Sequence, residues 1–295
     1  MRIIEVPEGK DPAALVEEFV NSGLFEYAEV DHKVYSLVTP NDPSFSEQWG
    51  LHNTGQSGGT ADADIDAPEA WDIRNSASGV IVAIVDSGAN LGHEDLSANL
   101  WVNPGEIAGN SIDDDSNGYV DDVHGINAIV GDGDPSDDGG HGTHVAGIIG
   151  AYGNNSKGIA GVAWQVELMP LKFLGSGGGG NISDRIECLD YARARGAHIL
   201  NASWGSSFYS QALHDAISTL KSDGILFVAA AGNDGNNTDQ SFIFPAGYRL
   251  DNVVSVAAST RTNTLAYFSS YGYLGTDLAA PGAEIYSPYG PDSDA

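Results

Sequence analysis

Cysteine is all but missing from this chain: Cys188 stands alone among 295 residues, so no internal disulfide can brace the fold. It falls in a helical pattern, where a small buried side chain is its expected role. Positive charge is scarce as well. Twelve lysines and arginines face 41 aspartates and glutamates, a net charge of −29 at pH 7. Phosphate recognition needs clustered basic residues, so no nucleic-acid partner is expected. No apolar run approaches the roughly 18 residues of a membrane-spanning helix. Met1 to Val6 carries no basic flank leading into an apolar stretch, so no signal peptide is read. The apolar share of 41% is dispersed, which suits a soluble globular protein with one large or two smaller domains.

Basic residues are also missing locally. None occurs between Arg74 and Lys157, while nine aspartates lie between Asp113 and Asp138, so a cation is expected to neutralise that region. Asp113-x-Asp115-x-Asn117-Gly118-Tyr119-x-Asp121 follows a calcium loop: side-chain oxygens first, then a glycine, the carbonyl of Tyr119 and a further acid. The last position of such a loop holds His124 rather than glutamate. The bidentate ligand must then come from elsewhere, with Asp122 the candidate. An acidic surface loop without metal is the alternative, although five aspartates within ten residues repel one another strongly.

In chain order, Arg2 to Val6 is expected as a strand. Asp11-Pro12 caps and opens a helix through Leu15, Val16, Phe19 and Val20, Gly23 closes it, and a second strand covers Phe25 to Leu37. Residues 1–38 thus read as a small β-α-β unit and residues 39–295 as the main domain, with Pro40 and Asn41-Asp42-Pro43 breaking the pattern between them. Gly50 to Asp64 is expected as surface loop. From there the alternation is regular. Val80–Val85, Val166–Leu171, Ile199–Ala202, Ile225–Ala230 and Val253–Ala257 are apolar runs of the kind buried on both faces. Helical periods through Ile182, Ile186, Leu189 and Ala192, and through Leu213, Ala216, Ile217 and Leu220, lie between them and end at Gly196 and Gly224. This rhythm predicts an α/β fold, a parallel sheet with helices on both faces.

Ligands of such sheets bind at the carboxyl ends of the strands. Three polar ends stand out: Val85-Asp86-Ser87-Gly88, Asn201-Ala202-Ser203-Trp204-Gly205 and Ala230-Ala231-Gly232-Asn233. A glycine-rich stretch, Gly139-Gly140-His141-Gly142, opens an apolar helical run, and its glycines leave room for another backbone beside the ring. A solvent-exposed loop histidine is the other reading of that stretch. Together an acid, an imidazole and an amide suit acyl transfer: Asp86 to orient the ring, His141 to shuttle a proton, and Asn233 to donate to an oxyanion.

VDSG around Asp86, HGTHVAG around His141 and AAGN ending at Asn233, in that order, resemble the subtilisin-like serine proteases. The resemblance runs from about Asp42 onward and includes LNASWG and the APG at Ala280–Gly282. It implies a three-layer α/β/α domain and an endopeptidase of broad specificity, because the cleft residues are glycine, alanine and serine. Ser176, Gly177 and Gly178, opposite Ser203, Trp204 and Gly205, would take an extended protein or peptide substrate as an added strand. Ala230, Ala231 and Gly232 would line the main specificity pocket. A second calcium site is implied at Asp42, Asp95, the side chain of Asn155 and the carbonyls of Tyr152, Lys157 and Ile159. His144 would be structural, and without HExxH a catalytic zinc on His141 and His144 is not expected. Residues 1–38 resemble the second half of an inhibitory α+β propeptide, a small permanent domain being the alternative. The family further implies a secreted monomer.

One family element is not in the sequence. The nucleophile serine lies in a GTSMA-like motif after APG; Ser287 and Ser293 follow APG without length for the helix, and Ser269 and Ser270 precede it. The expectation is a protease truncated before its nucleophile and therefore inactive; a pseudoprotease or calcium-dependent binding module is the alternative. Two literal motifs point elsewhere. Gly175 to Gly180 satisfies the GxGxxG of an NAD-binding oxidoreductase, but the next strand ends in Asn201 and Ser203 instead of an acid. Gly55-Gln56-Ser57-Gly58-Gly59 satisfies GxSxG, but no buried strand precedes it.

Overall fold

The computed structural model describes residues 3–7, 9–31 and 38–289. The chain divides into two compact units, Met1–Leu37 and Val38–Ala295. In the first, helix α1 (Pro12–Asn21) starts as its sequence dictates: the Asp11 carboxylate accepts the N–H of Ala13 at 3.1 Å, and Pro12 occupies the first turn. Gly23, at φ 67°, follows its end. No strand forms over residues 3–7 or 25–31, where two were expected; Arg2 and residues 32–37 lie outside the described residues. The local reason is a lack of cover. No residue of α1 is buried, Ile3, Leu24 and Tyr27 are exposed, and a strand needs both a paired neighbour and a covered face.

The second unit is built on a sheet of seven parallel strands: β1 (Ser76–Asp86), β2 (Ile126–Asn127), β3 (Gln165–Lys172), β4 (Ile199–Ala202), β5 (Leu226–Ala230), β6 (Val253–Ser259) and β7 (Leu278–Pro281). Their order across the sheet is β2-β3-β1-β4-β5-β6-β7. All five expected apolar runs are strands. The two edge strands, with two and four residues, are too short to show a period, and helix α2 (Ala67–Ile73) was likewise not anticipated.

Alternation across the pleat sorts the core into two faces. Val82 and Ile84 of β1 with Val166 and Leu168 of β3 pack under helix α3 (His141–Gly150) through Ala146, Val145 and Ile149. Their neighbours Ala83, Val85, Met169 and Leu171 turn the other way, as do Leu200 and Phe227. They meet α4 (Ile182–Ala194) at Cys188, Leu189 and Ala192 and α5 (Gln211–Ser222) at Leu213, Ile217 and Leu220. The result is a three-layer α/β/α domain. Each fully buried leucine, isoleucine or phenylalanine contributes about 1.5–3 kcal/mol relative to exposure. Burial also pushes the Cys188 thiol well above its ordinary pKa, so it is an inert packing residue, as expected.

Because every strand runs the same way, all carboxyl ends lie along one edge. Asp86 is in register with Lys172, Ala202 with Ala229, and Ala230 with Val256. The polar residues that follow these ends are therefore gathered by topology alone.

Candidate active site

Asp86 is the last residue of β1 and is fully buried. Its Oδ1 accepts the Ser87 N–H and the Nδ1–H of His141, both at 2.7 Å. A carboxylate can only accept, so Nδ1 carries the proton and the neutral ring keeps its lone pair on Nε2. The hydrogen bond to Asp86 raises the His141 pKa above its ordinary value. Burial works against this, and the charges of Asp86 and Asp137 add to it. The Oδ2 of Asp86 is buried without a hydrogen-bond partner among the described residues.

His141 opens α3, and the loop before it is tied to that helix end. Gly140 sits at φ 83°, and the Asp137 carboxylate accepts the N–H groups of Gly139, Gly140 and Thr143 at 2.8, 2.9 and 2.9 Å. Burial alone would raise the Asp137 pKa, but these bonds, with that from the Thr143 hydroxyl, outweigh it and hold the group below its usual value. The glycines beside His141 serve the chain itself as well as any incoming peptide. A Cβ on Gly142 would lie 2.1 Å from the Gly88 carbonyl oxygen, and one on Gly140 would lie 3.0 Å from the Tyr289 ring.

Lys172 is a member of this site that the sequence reading passed over. Its ammonium is buried at the end of β3, donating to the carbonyls of Ser87 at 2.7 Å and Leu174 at 3.1 Å and pairing with Asp138 at 2.6 Å. The available signal was a lysine closing an apolar run. It joins the segment after Asp86, the loop before His141 and the glycine-rich turn after β3. In that turn Gly178 N–H donates to the Gly175 carbonyl at 2.8 Å and Gly175 N–H to Gly179 at 3.1 Å, leaving Ser176, Gly177 and Gly178 exposed.

Beyond β4, Ser203 accepts from the Asn201 amide at 2.9 Å and Gly205 is exposed. The Trp204 ring turns inward, donating to the Val85 carbonyl at 2.9 Å and packing edge-on against Phe173 and Phe227, so only its backbone is available to a substrate. Beyond β5, Ala231 is buried, Gly232 at φ 109° backs onto Ile243 and Ser270, and Asn233 is exposed with no side-chain hydrogen bond among the described residues. No serine hydroxyl bonds His141 Nε2 among the described residues. Ser287 donates to the His144 carbonyl, Ser269 to that of Ser270, and Ser293 lies outside the described residues. The His144 ring faces the Ile285 carbonyl at 3.2 Å. Ser57 sits in an exposed turn at φ 53°, with no strand before it.

Two acidic groups hold the metal ligands that the sequence leads one to expect. In the aspartate-rich loop, Asp113 and Asp115 come together with Glu106, each with a carboxylate oxygen within 4.8 Å of the others. Glu106 had not been singled out, since it lies upstream of the twelve-residue frame. Its Oε1 accepts the Asp114 N–H at 3.0 Å, and its Oε2 is buried without a partner. Asp121 is turned to the backbone of Gly109, Asn110 and Ser111 at 2.8–3.1 Å. Asp122 is buried against the Asn103 and Asn117 amides and the Tyr191 hydroxyl, below the Tyr119–Glu187 hydrogen bond. His124 donates to the Trp101 carbonyl at 2.8 Å, and Arg195 pairs with Asp115 at 2.7 Å, supplying part of the missing positive charge.

The second group is tighter. Asp42 and Asp95 are buried; Asp42 accepts the Asn154 and Asn155 N–H groups at 2.6 and 3.1 Å, while Asp95 accepts from the Asn155 amide and the Ile159 N–H, both at 3.0 Å. Tyr152 N–H bonds the Asp95 carbonyl, and Lys157 N–H the Asn155 side-chain oxygen. Burial, with the Asp95 charge added, raises the Asp42 pKa despite its backbone hydrogen bonds. Neither Asp42 nor Asp95 forms a salt bridge among the described residues, so two acids share this buried region.

A profile of the Subtilase family matches residues 77–294. Subtilisin-like protease 1 of Plasmodium vivax is 33% identical over 316 residues, covering 97% of this chain and 49% of that protein. An extracellular protease of Xanthomonas campestris is 34% identical over 276 residues, covering 88% of this chain and 45% of that protein. The chain thus spans about half the length of these relatives. Among solved structures, a protease of Pseudoalteromonas arctica superposes with a TM-score of 0.66 at 32% identity, covering 88% of this chain and 80% of that one. With the buried Asp86 joined to His141 at the carboxyl edge of a parallel sheet, and with these matches across its length, the chain belongs to the subtilase family of serine proteases.

Proposed function

We propose that this chain carries the acid–base part of a serine endopeptidase site, and the observation that carries the proposal is the Asp86–His141 hydrogen bond. His141 Nε2 would take the proton of a serine hydroxyl as that oxygen attacks a peptide carbonyl, then return it to the leaving amine. Asp86 would stabilise the imidazolium between the two transfers. The Asn233 amide would donate to the oxyanion, and the backbones of Ser176–Gly178 and Ser203–Gly205 would hold the peptide as an added strand. With no serine on His141 Nε2 among the described residues, the 295-residue chain is expected to bind a peptide without forming an acyl-enzyme. That feature also fits the second reading, a pseudoprotease or calcium-dependent binding module.

Calcium belongs to the same proposal. Glu106, Asp113 and Asp115 would hold one ion, the orphaned Glu106 oxygen supplying a ligand, with Asn117 and the Tyr119 carbonyl beside them. Asp42, Asp95, Asn155 and the carbonyls of Tyr152, Lys157 and Ile159 would hold the other. The ions would neutralise carboxylates and cross-link loops, work that a disulfide does elsewhere. The reading extends to a secreted monomer whose residues 1–38 are part of its own inhibitory propeptide. The compact-unit boundary after Leu37 and the extracellular relative support it.

The test compares this chain with the product of the complete reading frame in peptide hydrolysis and fluorophosphonate labelling. Only the longer protein should be labelled and active, losing about 10⁴-fold or more in kcat on His141→Ala. Hydrolysis that survives His141→Ala would overturn the proposal; a complete product that binds peptide but is never labelled would favour the binding module.

A further inference from the structure

We infer that Arg185 makes this cleft selective for a peptide with an acidic side chain beside the strand-binding segments; the inference rests on the peptide-binding reading above. Arg185 lies near the start of α4, and its guanidinium lies against the Trp204 and Phe173 rings. Its carbon is 4.6 Å from the centre of the Trp204 ring and 5.0 Å from that of Phe173, and one terminal nitrogen reaches toward the Gly180 carbonyl at 3.5 Å. Gly180 ends the glycine-rich turn of Ser176–Gly178, and Trp204 stands between Ser203 and Gly205. A peptide laid between those segments would run close to this cation.

The guanidinium has no acid of its own. Arg193, Arg195, Arg249 and Arg261 pair with Asp223, Asp115, Asp239 and Glu284. Among the arginines of the described residues, only the exposed Arg74 and the half-buried Arg185 make no salt bridge. In a chain with 41 carboxylates for 12 cations, that is not for want of partners. The adjacent Asp184 attracts Arg185 without a salt bridge and is hydrogen-bonded by the Asn181 amide at 3.0 Å and the Ser183 hydroxyl at 2.8 Å. The Arg185 Nε is buried with no hydrogen bond, which is costly for a charged donor, and the terminal nitrogens are the part of the fork that a peptide carboxylate would meet. Burial lowers the Arg185 pKa, with the charge of Asp184 working against it, and a guanidinium keeps its proton in proteins. Aromatic faces on the guanidinium fix its plane, so it is pre-set for a planar partner. A cleft expected to be neutral thus holds one cation, while the −29 net charge would otherwise disfavour acidic peptides.

The experiment uses the isotope-labelled 295-residue protein and N-acetylated hexa-alanine amides carrying one Asp moved through every position, with matched Asn and Lys sets. Binding is followed by the Arg185 Nε–H and His141 ring resonances. At one position Asp should bind about tenfold more tightly than Asn and shift the Arg185 Nε–H, and Lys should bind more weakly than either. Arg185→Met should erase the Asp preference while keeping Asn affinity, and Arg185→Lys should keep part of it. Should Arg185→Met fail to fold, the unmodified protein's Asp-to-Asn ratio and Nε–H shift still decide. Peptides that shift His141 with equal affinity for Asp and Asn everywhere overturn the inference and leave the peptide-binding reading standing. Failure of every peptide to shift His141 overturns both.

Discussion

Ser87 accepts the backbone N–H of Gly142 on its hydroxyl oxygen at 2.9 Å. The residue after Asp86 therefore holds the residue after His141, and the two chemical groups inherit their spacing from a contact between their neighbours. The Gly88 carbonyl fills the space where a Gly142 side chain would stand, and Lys172 fixes the Ser87 carbonyl from the far side. The Asp86–His141 bond is thus held in place by the Ser87 hydroxyl, the Gly88 carbonyl and the Lys172 ammonium, a degree of preorganisation that catalysis by positioned charge requires.

Asp86→Asn should lower the His141 pKa, because the carboxylate hydrogen bond is the main cause of its rise above 6.5. The sign for stability follows. A raised folded-state pKa stabilises fully below the unfolded value and is lost as pH rises through the folded one, so unfolding free energy should fall across that window in the native protein and fall less in the variant. Titration of the ring resonances and denaturation at several pH values measure both effects. An unchanged pKa in Asp86→Asn would contradict the assignment of Asp86 as the ring's partner.

Gly142→Ala should disturb the site more than the fold. Its Cβ would lie 2.1 Å from the Gly88 oxygen, so α3 or the segment after β1 must shift, breaking the Ser87 bond and lengthening Asp86–His141. The expected cost is about 1–3 kcal/mol of stability with a His141 pKa moved back toward its ordinary value. Ala146→Gly, farther along the same helix, is the control: it should destabilise α3 without moving that pKa.

Lys172→Met should cost about 1–3 kcal/mol, because the carbonyls of Ser87 and Leu174 lose their donor while Asp138, already half exposed, can turn to water. Lys172→Arg should recover little, since a planar fork cannot replace a compact ammonium reaching three oxygens in a packed space. Chemical denaturation of the three proteins decides between these outcomes.

Calcium should raise the melting temperature and a chelator lower it. Glu106→Ala and the pair Asp113→Ala with Asp115→Ala should each remove the part of the response due to the acidic loop, and Asp95→Ala the part due to the buried pair. Asp121→Ala should instead destabilise the protein with and without calcium, because that carboxylate holds the Gly109–Ser111 backbone. Identical melting with calcium and chelator would remove both sites from the proposal.

Periodicity and strand-end chemistry made much of this protein legible before any coordinates. Five apolar runs became five strands, Gly196 and Gly224 sit at φ 77° and 75° after the helices they were expected to end, and Asp11-Pro12 opens α1. These are local matters, decided by backbone sterics and by the pairing of side-chain period with buried face. The joining of Asp86 to His141 was legible too, because parallel strands bring their ends to one edge wherever they occur in the chain. Lys172, Glu106 and Arg185 were not legible, since what matters about each is a neighbour far away in sequence or a partner it lacks. A lysine is expected at the surface until Ser87, Leu174 and Asp138 close around it; Asp121 is expected as a ligand, and the fold adds three backbone N–H groups on its oxygens; and Arg185 reads as an ordinary helix residue until the Phe173 and Trp204 rings flank its guanidinium. Local sequence determines which element a residue joins and which way it faces, whereas burial of a charge and satisfaction of its hydrogen bonds are properties of the surroundings, and those are decided only when distant segments pack.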